Sequence, residues 1–192
     1  QVHKTTIQKD VSMNNETMHI NTLDSYLNAL NRLFVIDDVP AWSPWLRSKT
    51  TIRTADTRHF TDPAIAAYFL QAYPQTLLGD MNTFGLLFES LVVRDLRIYA
   101  KAHYGHISHY RDNNGLEADI IIHFPDGRWA AAEVKLGSKQ VDAGARNLLA
   151  LKEKIDASKT PEPSLLMIVT GTQYAYTRSD GVVVVPLGCL KP

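Results

Sequence analysis

Residues 110–139 read YRDNNGLEADIIIHFPDGRWAAAEVKLGSK, two acid-bearing apolar runs on either side of Phe124-Pro125-Asp126-Gly127-Arg128. Proline, aspartate and glycine together are turn chemistry, and an isoleucine-rich run before them and an apolar run after them give a β-hairpin. With Pro125 to Gly127 as the loop, Phe124 faces Arg128. Paired residues of an antiparallel ladder keep a constant sum of numbers, which places Asp119 opposite Glu133 and Glu117 opposite Lys135. Alternation along a strand puts Glu117, Asp119, Ile121 and His123 on one face and Ala118, Ile120 and Ile122 on the other. Glu133 and Lys135 share a face in the same way.

Two carboxylates facing each other at roughly 5 Å repel, and a sheet accommodates them only where a proton, a cation or water relieves the charge. A divalent ion with oxygen ligands is one answer, because magnesium binds through one or two carboxylates plus waters and phosphates. A neighbouring lysine then orients or deprotonates an attacking water, or steadies a phosphate. The plainer reading is a solvated rim in which Glu117 and Lys135 form a cross-strand ion pair.

The spacing Glu117-x-Asp119 followed by Glu133-x-Lys135 resembles the core of the PD-(D/E)XK, or restriction-endonuclease-like, superfamily. More specific is the order of segments: a helix FGLLFESLVVRDL at 84–96, the hairpin, a helix at 141–155 and a terminal GVVVVPLGCL. This order resembles the uncharacterised C-terminal domain of prokaryotic AAA-type ATPases, over roughly residues 20 to 192. The resemblance implies a restriction-endonuclease-like α/β (α+β) fold, a mixed sheet flanked by helices. It also implies an upstream ATPase domain in the same full-length protein. By position, Glu89, Asp119 and Glu133 would hold magnesium or manganese and Lys135 would assist the water. Glu117 is shared with the ATPase-attached domains, and its role stays open. The superfamily's substrates imply DNA or RNA as a partner, and its habit of pairing to cut two strands implies a homo-oligomer.

Glu89 lies at the flank of an apolar stripe of Phe84, Leu87, Phe88, Leu91 and Val92, where it faces either the sheet end or solvent. Ahead of that helix, residues 1–20 are polar and aperiodic and read as poorly ordered or as the remnant of a preceding element. Thr22 is a candidate N-cap for a helix carrying Leu23, Tyr26, Leu27, Leu30 and Leu33. Phe34-Val35-Ile36 and Val39-Pro40 then suggest a short strand running into a loop at Trp42 to Trp45. Residues 21–60 resemble the end of a winged-helix segment and connector, leaving 61–192 as the nuclease-like domain. Thr61-Asp62-Pro63 starts a short helix to Tyr73, followed by a loop closed by Gly79. Leu148, Leu149, Leu151 and Ile155 form the inner side of the 141–155 helix, and Leu165–Thr170 and Gly181–Leu187 read as strands, the second closed by Pro186.

Composition sets the outer limits. A chain of 192 residues with 45% hydrophobic content buries a full core. Twenty basic residues balance twenty acidic ones, an unusual state for a protein that grips duplex DNA unaided. Arg47, Lys49, Arg53, Arg58 and His59 cluster locally, either as a phosphate-facing patch or as a solvated loop. The lone Cys189 makes no internal disulfide and lies in an apolar terminal strand with no base beside it, which fits a reducing, cytoplasmic setting. No apolar run is long enough for a membrane span, and no signal segment is visible. The chain starts with Gln, as a fragment or trimmed product would. None of its glycines opens a phosphate-binding GxxxxGK[ST] loop, so ATP is not expected in this chain. His103, His106 and His109 recur every third residue, but Gly105 ends the preceding helix and separates them, which argues against a zinc site.

Overall fold

In the computed structural model, residues 4–12, 18–44 and 55–192 are described. The mixed α/β architecture expected from the sequence is present. A six-stranded sheet is built from β3 (His106–Arg111), β4 (Glu117–His123), β5 (Trp129–Lys135), β6 (Leu165–Thr170), β7 (Tyr176–Thr177) and β8 (Val183–Pro186) in the order β3-β4-β5-β6-β8-β7. The first three strands are antiparallel and β5, β6 and β8 are parallel. Helix α5 (Met81–Ala102) covers one face and α6 (Val141–Lys154) the other.

The sequence explains the two layers. Phe88, Val92, Val93, Leu96 and Ala100 recur at helical spacing and bury one side of α5 against Ile120, Ile122, Ala132 and Val134. Ala145, Leu148 and Leu151 of α6 pack on Ile121, Trp129, Ala131 and Ile168. β5 is buried on both faces, and its three alanines let both helices come close. α5 runs beyond the 84–96 expected for it because Asp80 caps it early, accepting from the Asn82 and Thr83 amides at 3.2 and 3.1 Å. It ends where Tyr104 takes a left-handed φ of 59° and the Gly105 amide donates to the Ala100 carbonyl. Gly105 is needed for proximity, since a Cβ there would sit 2.8 Å from the Phe124 ring.

Toward the N-terminus lie α1 (Lys4–Ser12), within the polar opening, and α2 (Ile20–Arg32). His19 rather than Thr22 caps α2, its Nδ1 accepting from the Asn21 amide, so the helix starts earlier than its side-chain pattern indicates. Of the expected stripe, Leu23 is buried while Tyr26, Leu30 and Leu33 are exposed. The strand expected at Phe34 begins at Ile36, because Phe34 itself has a φ of 56°. β1 (Ile36–Val39) pairs with β2 (Thr57–Phe60) in a small antiparallel sheet. The segment after β1 joins the main sheet: the His109 amide donates to the Pro40 carbonyl and the Trp42 amide to the His109 carbonyl, and Trp42 packs on Trp129 at 4.8 Å between ring centroids. Asp62 caps α3 (Pro63–Phe69) with proline in its first turn, as expected. A left-handed Gln71 ends that helix short of Tyr73, and Pro74 starts α4 (Pro74–Gly79) where a loop was expected. Trp45, Arg47, Lys49 and Arg53 lie outside the described residues.

Candidate functional site

The hairpin register matches the sequence reading through most of its length. The Phe124 amide donates to the Arg128 carbonyl at 2.9 Å, and the pairs His123 with Trp129 through Ile120 with Ala132 keep the constant sum. The ladder then stops, before Asp119 and Glu133. Against β3, two residue steps from Ser108 to Tyr110 match three on β4 from Ile121 to Ala118, so β4 carries a bulge at Asp119. A bulge re-aims side chains by breaking the alternation of faces. Ala118 accordingly packs with Ile121 in the α6-side core, whereas Ile120 and Ile122 pack on the α5 side, which corrects the simple alternation. The pairing of Glu117 with Lys135 is also corrected. Beyond the bulge Glu117 is opposite Arg111, whose Nε lies 3.5 Å from its Oε2.

The bulge gives Asp119 a different use. Its Oδ2 accepts the Val134 amide at 2.8 Å, taking over a ladder position that a strand carbonyl would otherwise fill. Because β4 and β5 are antiparallel, the start of one and the end of the other share a sheet edge, and Asp119, Glu133 and Lys135 meet there. Lys135 Nζ stands 2.5 Å from Glu133 Oε2 and 3.6 Å from Asp119 Oδ2. Glu133 is 1% exposed. Its Oε1 is buried without a well-formed hydrogen bond, and Asn147 of α6 is the side chain near enough to contribute a weak one. α6 comes down on the pair at Gly144, where a Cβ would lie 3.3 Å from Lys135 Cε and 3.4 Å from Glu133 Cβ.

Electrostatics tie the four expected residues together. Burial, reinforced by the Asp119 charge, pushes the Glu133 carboxyl up to about 8, with Lys135 pulling the other way. Burial and Asp119 raise Glu89 to about 7, again against Lys135. Burial opposes the charge on Lys135, but Asp119, Glu133 and Glu89 outweigh it and hold the ammonium above its ordinary value. Glu89 therefore feels the charges of Asp119 and Lys135. Glu117 adds only a lesser repulsion on Glu89.

A buried oxygen on Glu133 without a firm partner, beside the Asp119 carboxylate, is a candidate ligand position for a hard cation, whose binding would displace the Glu133 proton. The donor set fits magnesium or manganese chemically. As they stand, among the described residues, no three His, Cys, Asp or Glu side chains are grouped closely enough to hold a metal ion. The Lys135 ammonium fills the space between Asp119 and Glu133 instead. The histidines of the every-third-residue pattern are apart from this edge. His103 caps α5, His106 faces His123 with ring centroids 5.8 Å apart, and buried His109 bonds the Ala55 carbonyl through Nε2. Cys189 is exposed in a 3₁₀ turn after β8, not in a strand.

Sequence reasoning missed the buried Asp112. It accepts from the Asn114 and Leu116 amides and from Lys154 at the end of α6, which pins the β3–β4 turn to that helix. The Asp-Asn-Asn-Gly run before Glu117 is the signal that marks it, since aspartate favours such side-chain-capped turns.

A mixed sheet between two helices, with an acid and lysine cluster at the edge shared by a hairpin's outer ends, is the class of protein that fold and site define. The chain belongs to the family described as "Domain of unknown function (DUF4143)", whose profile matches residues 84–190, a domain found in AAA-ATPase-associated proteins. Residues 1–76 match a second family, "Domain of unknown function (DUF8612)". No curated protein matches. Among solved structures, the chain is similar to a refined half-complex from a tetradecameric assembly of Thermococcus gammatolerans McrB AAA+ hexamers with bound McrC. Identity is 10% and the TM-score 0.35, with 96% of this chain covered, and this chain spans 65% of that one. A superposition of that quality constrains neither fold nor function. No helix among the described residues is long and apolar enough to cross a membrane.

Proposed function

We propose that this chain is a nuclease-like module of the PD-(D/E)XK type that hydrolyses phosphodiester bonds with a divalent ion, carried in a larger protein with an AAA-type ATPase domain. The observation that supports the reading is the meeting of Asp119, Glu133 and Lys135 where β4 starts and β5 ends, with one oxygen of a fully buried glutamate left without a firm partner and the Glu89 carboxyl raised by burial and by the Asp119 charge. Asp119, Glu133 and Glu89 would hold magnesium or manganese, which when bound supplies charge neutralisation and an activated water. Asp119 is fixed by the Val134 amide, and Glu133 by the close approach of α6 at Gly144. Lys135, once released from Glu133, is placed to steady a phosphate oxygen or to orient the attacking water through its ammonium. Support for the ATPase partner is the family itself, together with the order of motifs along the chain.

A second reading has one specific observation behind it. The lysine ammonium already pairs with Glu133 Oε2 and stands 3.6 Å from Asp119 Oδ2, as it would in a nuclease fold retained only for binding or for regulating the ATPase. One experiment separates the two: manganese and magnesium titrated calorimetrically into the chain and into Asp119→Asn, followed by cleavage assays on DNA and RNA with Glu133→Gln and Lys135→Ala. The nuclease reading expects metal binding that Asp119→Asn abolishes and cleavage that Glu133→Gln abolishes. Cleavage that survives Glu133→Gln, or no metal binding and no turnover, refutes it.

A further inference from the structure

Beside the acid and lysine edge lies a cleft of about 380 Å³ bordered by Ser138, Val141, Thr172, Gln173, Tyr174 and Tyr176, with Val184 as its floor. Its volume lies in the range of small-ligand pockets. Val141 and Val184 are buried, whereas Tyr174 is 77% and Tyr176 49% exposed. Among the described residues neither tyrosine stacks on another aromatic ring.

The cleft is tied to the candidate site through the backbone. The 170–176 loop crosses the end of β5, with the Gly171 amide donating to the Leu136 carbonyl at 3.3 Å. A Cβ at Gly171 would sit 3.0 Å from that carbonyl oxygen, so the crossing requires glycine. The Thr170 and Thr172 hydroxyls, 2.8 Å apart, hold the loop's first turn. Ser138 follows Lys135 by three residues, so the cleft begins within about 10 Å of the lysine. A stacked strand rising about 3.4 Å per nucleotide covers that gap in about three nucleotides.

We propose that this cleft seats an unpaired base of a single-stranded nucleic acid, stacked on Tyr174 and edged by the Gln173 amide and the Ser138 and Thr172 hydroxyls, so that the same strand's backbone runs to Lys135. This rests on the nuclease-like reading and names its substrate class. Exposed aromatic faces with an adjacent amide and hydroxyls are how proteins hold bases whose edges are free, and a paired base offers no face to such a ring.

The test is fluorescence anisotropy of the full chain, in EDTA, with labelled single strands of oligothymidine and oligouridine about 12 nucleotides long and with a duplex of the same length. The expected result is preferential single-strand binding, weakened on the order of tenfold by Tyr174→Ala and restored by Tyr174→Phe. Tyr104→Ala, which removes a ring 82% exposed at the far end of α5, should leave affinity unchanged. Equal affinity for the duplex, no single-strand binding, or a Tyr174→Ala variant that binds like the parent each overturns the proposal. Glu133→Gln in parallel keeps the two ideas apart. Binding retained in Glu133→Gln and lost in Tyr174→Ala supports the cleft whether or not the chain cleaves.

Discussion

Replacing Glu133 by glutamine should stabilise the metal-free chain at high pH and leave it unchanged at low pH. Glutamine has the shape of a protonated glutamate and cannot ionise. The Glu133 carboxyl moves from an ordinary 4.5 in the unfolded chain to about 8 in the folded one, through burial first and Asp119 second. Between those values the folded chain keeps a proton that the unfolded chain releases, so this group's contribution to stability is lost as pH rises from about 4.5 to about 8. At about 1.4 kcal/mol per unit the ceiling is about 5 kcal/mol, and sharing of charge with Glu89 and Lys135 brings the expected gain to about 3 kcal/mol. For a chain of this size that is about 6–12 °C in melting temperature. The assay is thermal unfolding followed by circular dichroism from pH 4 to pH 9 in EDTA. Curves for parent and variant should meet near pH 4, separate up to about pH 8 and hold that gap to pH 9. Parallel curves, or a variant less stable at pH 9, would show that the ionised Glu133 and Lys135 pair stabilises the fold and would refute the reasoning.

Three further outcomes follow from other parts of the molecule. His59, buried beneath α5 and held near 4 by burial and by Arg97, stays neutral while the unfolded chain takes up a proton below about 6.5. Stability should therefore fall by up to about 3 kcal/mol as pH drops from 6.5 to 4, and His59→Phe should flatten that acid limb in the same melts. Asp112→Ala strips two amides and Lys154 of their acceptor at a fully buried position and should cost on the order of 3 kcal/mol in urea unfolding; a loss under 0.5 kcal/mol would contradict the pinning role. Gly105→Ala forces a methyl against the Phe124 ring and should cost about 1–3 kcal/mol by the same measurement, with Phe124→Leu partly restoring the loss.

The hairpin was legible because its information is local. Pro125-Asp126-Gly127 set the loop, and the loop set the register that His123 with Trp129 through Ile120 with Ala132 display. The stripes of α5 and α6 were legible because burial on one helical face leaves a period in the sequence. Caps were less so: His19 displaced Thr22 and Asp80 lengthened α5, since several polar residues near a helix start compete and only backbone geometry selects one. The bulge at Asp119 left no period to read. It follows from β4 pairing with β3 and β5 at once, while the Asp119 carboxylate takes the Val134 amide.

By itself the sequence determined the types and order of the core elements and the residues available for chemistry, because propensity, periodicity and turn geometry act over a few neighbouring positions. Tertiary structure alone decided how those residues meet. It turned Glu117 away to Arg111, set Lys135 between Asp119 and Glu133, buried Glu133 beneath Gly144, and laid the Tyr174 loop across the end of β5. Those distances depend on strands and helices far apart in the chain packing against one another, and the charge states of Glu89 and Glu133 follow from the burial that packing creates.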